Sequence, residues 1–456
     1  MAAVNAFDRA LVSGLLRPQP AQAADLSEFA RAVAGTPLAS RVAEAAEKAA
    51  AGAAVEDHFV LLAAARTALL GSIHDAVVGR LDEFTGRTRG TDTPPTTADD
   101  RSANLLAAAR AWLCDLARAG WQGIDHDVVS GAAQIVSAML PDPALRRLST
   151  LLDGFSNELA ASCPGAALER VPARRWGDLW ARAVILTLPG ALGAGAHTTA
   201  TGRLLPLAVD LQEHATAAQA QVHAVFEPAD GSAPRLVRAS VSVPKPDTAV
   251  GAGVWQLLRP HMSLLSAVAE GRSMHLLGMP LTDGGDLLWS DELARPGEPA
   301  DAFATARVAL PAATDAATAP LDRHPARIAV PVFLEGYAVE VAEGHTDGAA
   351  PGEETLRFTV TGRPLLVDTD RIPTAGPLTP KTVAASGACI GLLRWDAGTY
   401  CLQPLAVETT VRKKPVAVHA AAWAGGTTDK AGVKAEKAAT DAVAVLRERA
   451  GRLLRK

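Results

Sequence analysis

The stretch RRWGDLWARAVILTLPGALGAGAHTTATGRLLPL, Arg174 to Leu207, changes character at its middle, and that change decides the fold class. Up to about Leu186 the apolar residues recur at helical spacing, with Trp176 and Trp180 four apart and so on one face of a helix. After Gly202 the run LLPLAVDL opens a region of strand-like segments. Between them lie Pro189, Gly190, Gly193 and Gly195, a helix exit followed by a flexible crossing. The reading is an α+β chain: helices before this stretch, a β-rich region after it.

The same glycines invite a phosphate-binding reading, which fails residue by residue. A P-loop needs lysine and then a hydroxyl after its second glycine, and aligning Gly190 and Gly195 with the motif puts Ala196 and His197 there. The dinucleotide fingerprint opens a helix after a strand, whereas here a helix precedes and a strand follows. No nucleotide cofactor is expected.

Working outward, Ala6 to Ala161 reads as seven or eight short helices, with stripes at Phe7, Leu11, Leu15 and at Phe59, Leu62, Leu69, Leu70. The expected helical domain covers residues 1–165, with a polar linker at 86–102, and residues 166–202 connect it onward. A β-rich domain is expected over 203–424. Its strands are LLPLAVDL, QVHAVFEP, RLVRASVSVP, MHLLGMPL, ATARVALP, IAVPVFLEGYAVEVAE, LRFTVTG, CIGLLRWD and TYCLQPLAVETTVRK, with one inserted helix over Val254–Ala269 and a hairpin at WDAGTY. Residues 291–304 and 311–325, poor in large apolar side chains, are expected to be long surface loops, and 429–456 a basic C-terminal helix behind an AGGTT hinge.

Composition narrows the function classes. The 456 residues, 48% hydrophobic with a formal charge of -5, suit neither a disordered chain nor an electrostatic partner for nucleic acid. Cys114, Cys163, Cys389 and Cys401 are far apart and form no CxxC, which fits a reducing cytoplasm better than zinc or a disulfide framework. The start MAAVNAFDRALVSGLL lacks a basic leader and an apolar h-region, and the apolar run Ala183–Ala196 is broken by Thr187, Pro189 and Gly190, so neither secretion nor a membrane span is expected.

HExxH, GxSxG and EF-hand patterns are missing from the sequence. His58, the His74-Asp75 doublet and Asp125 form a dispersed set that resembles the metal-binding His and His-Asp pairs of helical phosphohydrolases. Against it, Asp125 reads as a helix N-cap, and the acidic residues of LTDGGDLLWSDE read as a polar turn around Gly284 and Gly285. Trp176 and Trp180 with Arg174 and Arg175 make either a partner-binding anchor or an intramolecular bolt to the β-rich domain. The C-terminal helix has Val443, Leu446, Leu453 and Leu454 as its apolar positions and Arg449 among its cations, suited to docking on its own domain or on an acidic partner.

The run VPARRWGDLWARAVILTLPGAL, Val171 to Leu192, resembles a segment of uncharacterised proteins encoded beside MoxR-type AAA+ ATPases, SWIM zinc-finger proteins and von Willebrand A-domain proteins in high-GC bacteria. The resemblance implies an accessory subunit of an ATPase-driven assembly, with the ATPase on another chain, and carries over no catalytic residue. The leading expectation is a cytoplasmic, non-enzymatic scaffold or adaptor. A metal-dependent hydrolase on His58, His74 and Asp75, and a small-molecule or glycan binder built on the β-rich domain, are the rivals.

Overall fold

The computed structural model describes residues 1–90, 102–191, 197–214, 216–246, 248–343, 354–396 and 398–453. Its first unit comprises Met1–Val77, Thr93–Gly195 and Ala319–Pro325. The second comprises Val78–Asp92, Ala196–Thr318 and Ala326–Lys456. The α+β class holds, helices first and sheets after.

In chain order the helices are α1 (Ala2–Ser13), α2 (Pro20–Ala32), α3 (Ala39–Ala50), α4 (Glu56–Thr85), α5 (Ala103–Ala119), α6 (His126–Ser130), α7 (Ala132–Met139), α8 (Arg146–Ala161) and α9 (Ala173–Leu186). Up to Ala161 the described residues hold eight, as the periodicity predicts, but α4 is 30 residues long rather than short. It is long and apolar enough to cross a membrane by length and composition. Within the first unit, however, it buries Phe59, Leu62 and Ala63 and carries Arg66, whose side chain is 1% exposed and meets Asp8 at 2.8 Å.

Aromatic rings order this core. Phe7 stacks on Phe29 with centroids 4.6 Å apart, and Trp121 meets both Phe155 and Trp176 edge-on at about 6 Å. The Asp8–Arg66 pair sits among them, and Arg66 also donates to the Arg174 carbonyl at 3.2 Å. Gly177 explains why a glycine interrupts the RRWGDLW helix: a β-carbon there would lie 2.5 Å from Asp8 Oδ1. The charge pair and the glycine are therefore one device.

Two short segments group away from their sequence neighbours, unlike the expected boundaries at 165 and 203. Residues 319–325 join the first unit because Leu321 packs on its core, Asp322 approaches Arg147 and Arg182, and His324 approaches Asp178. Residues 78–92 join the second because Arg89 pairs with Asp82 and Asp315, and Arg87 donates to the Pro331 carbonyl at 2.9 Å. Most of the expected linker at 86–102 lies outside the described residues, as do Leu192 to Ala196 of the glycine-rich crossing.

The second unit begins with β1 (His197–Glu213), β2 (Ala217–Pro228) and β3 (Arg235–Pro244), then α10 (Gly253–Leu258) and α11 (Leu264–Ala269). The expected single helix over Val254–Ala269 is two, because Pro260 falls in the short 3₁₀ turn between them. Next come β4 (Arg272–Thr282), β5 (Asp286–Leu287), β6 (Ala294–Pro299) and α12 (Ala302–Val308). The expected loop at 291–304 is thus strand β6 and a helix start, and the expected strand ATARVALP is helical. Asp301 caps that helix through the Ala304 N–H at 2.6 Å, and alanine favours the result. Residues 311–325 hold short 3₁₀ turns and two isolated parallel bridges, Thr314 with Arg235 and Asp315 with Arg89.

The chain continues with β7 (Val330–Glu335), β8 (Ala338–Glu343), β9 (Glu354–Val360), β10 (Arg363–Val367), α13 (Pro380–Ala384), β11 (Ser386–Asp396), β12 (Thr399–Val411), β13 (Lys414–His419) and α14 (Lys430–Leu453). The expected hairpin is present, with Asp396 opposite Thr399.

β1 pairs with both β2 and β4, so that β1, β2, β3, β5 and β4 close into a ring from which β6 projects. The other sheet runs β7-β11-β12-β10-β9-β8, with β13 on β12. A register shift between Pro206 and Ala208 reverses the alternation of β1. Leu204, Val209 and Leu211 consequently face one core with Trp255 and Leu265, while Leu205, Leu207 and Ala208 face a second with Phe303, Ile390 and Leu405.

The buried Asp8–Arg66 pair makes a stability prediction. Arg66→Met alone strands a buried carboxylate and should cost about 3–5 kcal/mol in urea unfolding followed by tryptophan fluorescence, whereas adding Asp8→Leu should recover most of the loss. Equal stability of the Arg66→Met single variant and the original chain would contradict this role.

Candidate functional site

Helix α14 is set in place at its N-terminal half. Asp429 caps it, accepting the Gly432 N–H at 2.9 Å. Ala439 is buried at 1% exposure, and Glu436 accepts from Arg259 Nη2 at 3.0 Å. Arg259 Nε in turn donates to the Ala424 carbonyl at 2.7 Å, tying the segment ahead of the helix to the same side chain.

The partner of this half is α10, and the approach is very close. A β-carbon on Gly253 would fall 2.7 Å from Ala439 Cβ and 2.8 Å from the Ala435 carbonyl oxygen, so only glycine opposite alanine permits the crossing. Beyond Ala439 the helix continues without comparable cover. Val445 and Leu446 are 46% and 49% exposed, and Arg449 is exposed as well.

Leu446 stands seven residues after Ala439 and so on the same helical stripe. The stripe that binds α10 with small residues therefore runs on into a large apolar one that nothing in the described residues buries. Helix α14 carries six basic and three acidic residues over its length. The Leu453 side chain lies outside the described residues, as does Leu454.

The structure takes the other predicted site residues elsewhere. Trp176 and Trp180 are both fully buried in the first unit's own core, where their indole N–H groups reach Glu158 at 2.9 Å and the Leu113 carbonyl at 2.9 Å. Neither the partner anchor nor the bolt to the β-rich domain describes them. Arg175 forks onto Glu158, pushing that carboxyl below its usual range, and Arg174 donates to Asn5 at 2.8 Å.

His58 and His74 lie 16 residues apart on the single helix α4, about 24 Å along its axis, too far to share one ion. His58 Nδ1 accepts the Val55 N–H at 3.0 Å. His74 meets its neighbour Asp75 at 2.9 Å, and Asp75 meets Arg323 at 3.3 Å. Asp125 accepts the Val128 N–H at 2.8 Å as the cap expected of it. Among the described residues no three His, Cys, Asp or Glu side chains converge as a metal donor set. The four thiols are unpaired, and burial pushes Cys114 up to about 12 and Cys401 up to about 11, unsuited to nucleophilic work.

Sequence reasoning missed a buried polar layer between the two sheets. Asp210, turned to that face by the β1 bulge, accepts from Arg394 Nη2 at 2.9 Å and Gln403 Nε2 at 2.8 Å. Arg394 also donates to Gln403 at 2.6 Å, although burial pulls its guanidinium pKa down. His223, paired in register with Ala208, shares this face and leaves Nε2 without a partner among the described residues. Residues 210, 223, 394 and 403 have no spacing that one sequence could reveal. Comparison with family models, with curated proteins and with solved structures found no match to this chain.

Two measurements probe these contacts. Gly253→Val should lift α14 off α10 and speed tryptic cleavage at Lys434 and Lys437 roughly tenfold, with the sheets unchanged by circular dichroism. Burial holds His223 down to about 4, against the nearby Asp210 charge that favours its protonation. Its folded pKa is depressed, so its contribution is complete above about pH 6.5 and is lost on acidification toward pH 4, by up to about 3 kcal/mol. His223→Gln should flatten the stability profile in that window; an unchanged slope would contradict the assignment.

Proposed function

We propose that this chain is a non-enzymatic adaptor of a cytoplasmic, ATPase-associated assembly, and that the distal half of α14 is its docking element. The observation that supports the reading most directly is the half-exposed Leu446 on the stripe whose proximal part, at Ala435 and Ala439, is locked to α10. Helix-in-groove recognition uses such anchors at spacings of three, four and seven residues. The surplus of cations along the helix favours a groove with apolar floor and acidic rim on another protein. The ATPase association rests on the resemblance of Val171 to Leu192 alone.

The test compares recovery from the source cell by four tagged chains: the original, a truncation lacking 429–456, Leu446→Asp and Leu446→Met. A genuine partner should be recovered by the original and by Leu446→Met. Leu446→Asp should lose it at least tenfold, about 1.4 kcal/mol, as should the truncation. Recovery of the same proteins by all four chains, or of none reproducibly, would contradict the docking role.

A further inference from the structure

A cavity of about 410 Å³ opens in the second unit, where the bulged part of β1, the end of α11, the start of β4 and the cap of α12 come together. Its size lies toward the small end of ligand pockets, which run from about 300 to 1,000 Å³. Leu207, Val268 and Pro299 give it apolar wall, and Arg272, Asp301 and His419 supply the polar groups.

These groups are under-used by the protein itself. Arg272 commits Nη2 to the Gly297 carbonyl at 2.6 Å, while its buried Nε has no acceptor and the guanidinium forms no ion pair among the described residues. The Asp301 carboxylate, exposed to solvent, accepts one N–H, from Ala304, and it too forms no ion pair among them. His419 packs edge-on against Phe303 with centroids 5.8 Å apart, and its buried Nδ1 lacks a partner. Burial lowers the His419 pKa, against the opposing charge of Asp301, so at neutral pH the imidazole adds no third charge.

A cation and an anion thus line one small cavity without pairing with each other. Leaving a half-buried guanidinium without a counter-charge is costly unless something else supplies one. We infer that the cavity binds a small zwitterion, an apolar α-amino acid, with its carboxylate on Arg272, its ammonium on Asp301 and its side chain against Leu207 and Val268. This site is independent of the docking helix and gives the chain a ligand as well as a partner.

Calorimetric titration of the full chain with leucine, with 4-methylpentanoate and with 3-methylbutylamine tests the assignment, since the two analogues each keep one of leucine's charges. Leucine should bind at least tenfold tighter than either. Arg272→Gln should weaken leucine and 4-methylpentanoate at least tenfold and leave the amine unchanged, and Arg272→Lys should retain part of the binding. Asp301→Asn, which keeps the helix cap, should weaken leucine and the amine only. Val268→Trp, which fills the cavity and alters no charge, should abolish all three while the thermal melt shows a folded chain. The inference is overturned if leucine gives no heat at about 10 mM. It is equally overturned if an analogue binds as tightly as leucine, or if leucine binding survives both Arg272→Gln and Val268→Trp.

Discussion

The presentation of α14 depends on a missing atom. Gly253 brings the backbone of α10 to the surface, and a single methyl group there would collide with Ala439 and with the Ala435 carbonyl. Helices this close exclude water along the shared stripe, and Arg259 reinforces the contact by holding Glu436 and the Ala424 carbonyl together. Among the described residues Ala439 is the last fully buried position of α14; Ala442 and Val443 are half-buried, and Val445 and Leu446 are exposed. Leu446, seven residues further along the same stripe, is 49% exposed, and this gives the docking proposal its physical content.

The two units use buried charge in contrasting ways. In the first, Asp8 and Arg66 form a two-point ion pair that Gly177 makes room for, and α1, α4 and α9 are held in one register by it. In the second, Asp210 gathers Arg394 and Gln403 across the space between two sheets, while the half-buried Arg272 and the exposed Asp301 line a cavity without an ion pair between them. A satisfied buried network specifies a structure, whereas the half-buried Arg272 guanidinium without a counter-charge is the feature on which the ligand inference rests.

Much of the architecture is legible because hydrophobic period is local. The helix of RRWGDLW, the strands of LLPLAVDL and CIGLLRWD and the cap at Asp125 all follow from neighbours in sequence. ATARVALP misleads because its alternation is short and alanine-rich, and the capping carboxylate of Asp301 just ahead is the signal that outweighs it. Trp176 and Trp180 do share a helix face, but periodicity does not say what that face meets; Trp121 and Phe7, distant in the chain, meet the two rings. The Asp210 layer and the Arg272 cavity depend on pairings between distant strands and on a bulge, neither of which leaves a local pattern. The amphipathic, basic nature of α14 is visible in the sequence; that only its first half is covered is not.

The most direct test of the account is photo-crosslinking inside the source cell, with a benzophenone amino acid placed at Leu446 in one chain and at Ala438 in another. The docking account predicts that the Leu446 probe joins this chain to a different polypeptide, and that excess soluble α14 peptide competes the adduct away. It predicts no such adduct from Ala438. Crosslinks from Leu446 confined to its own chain, or to a second copy of it, would contradict the account.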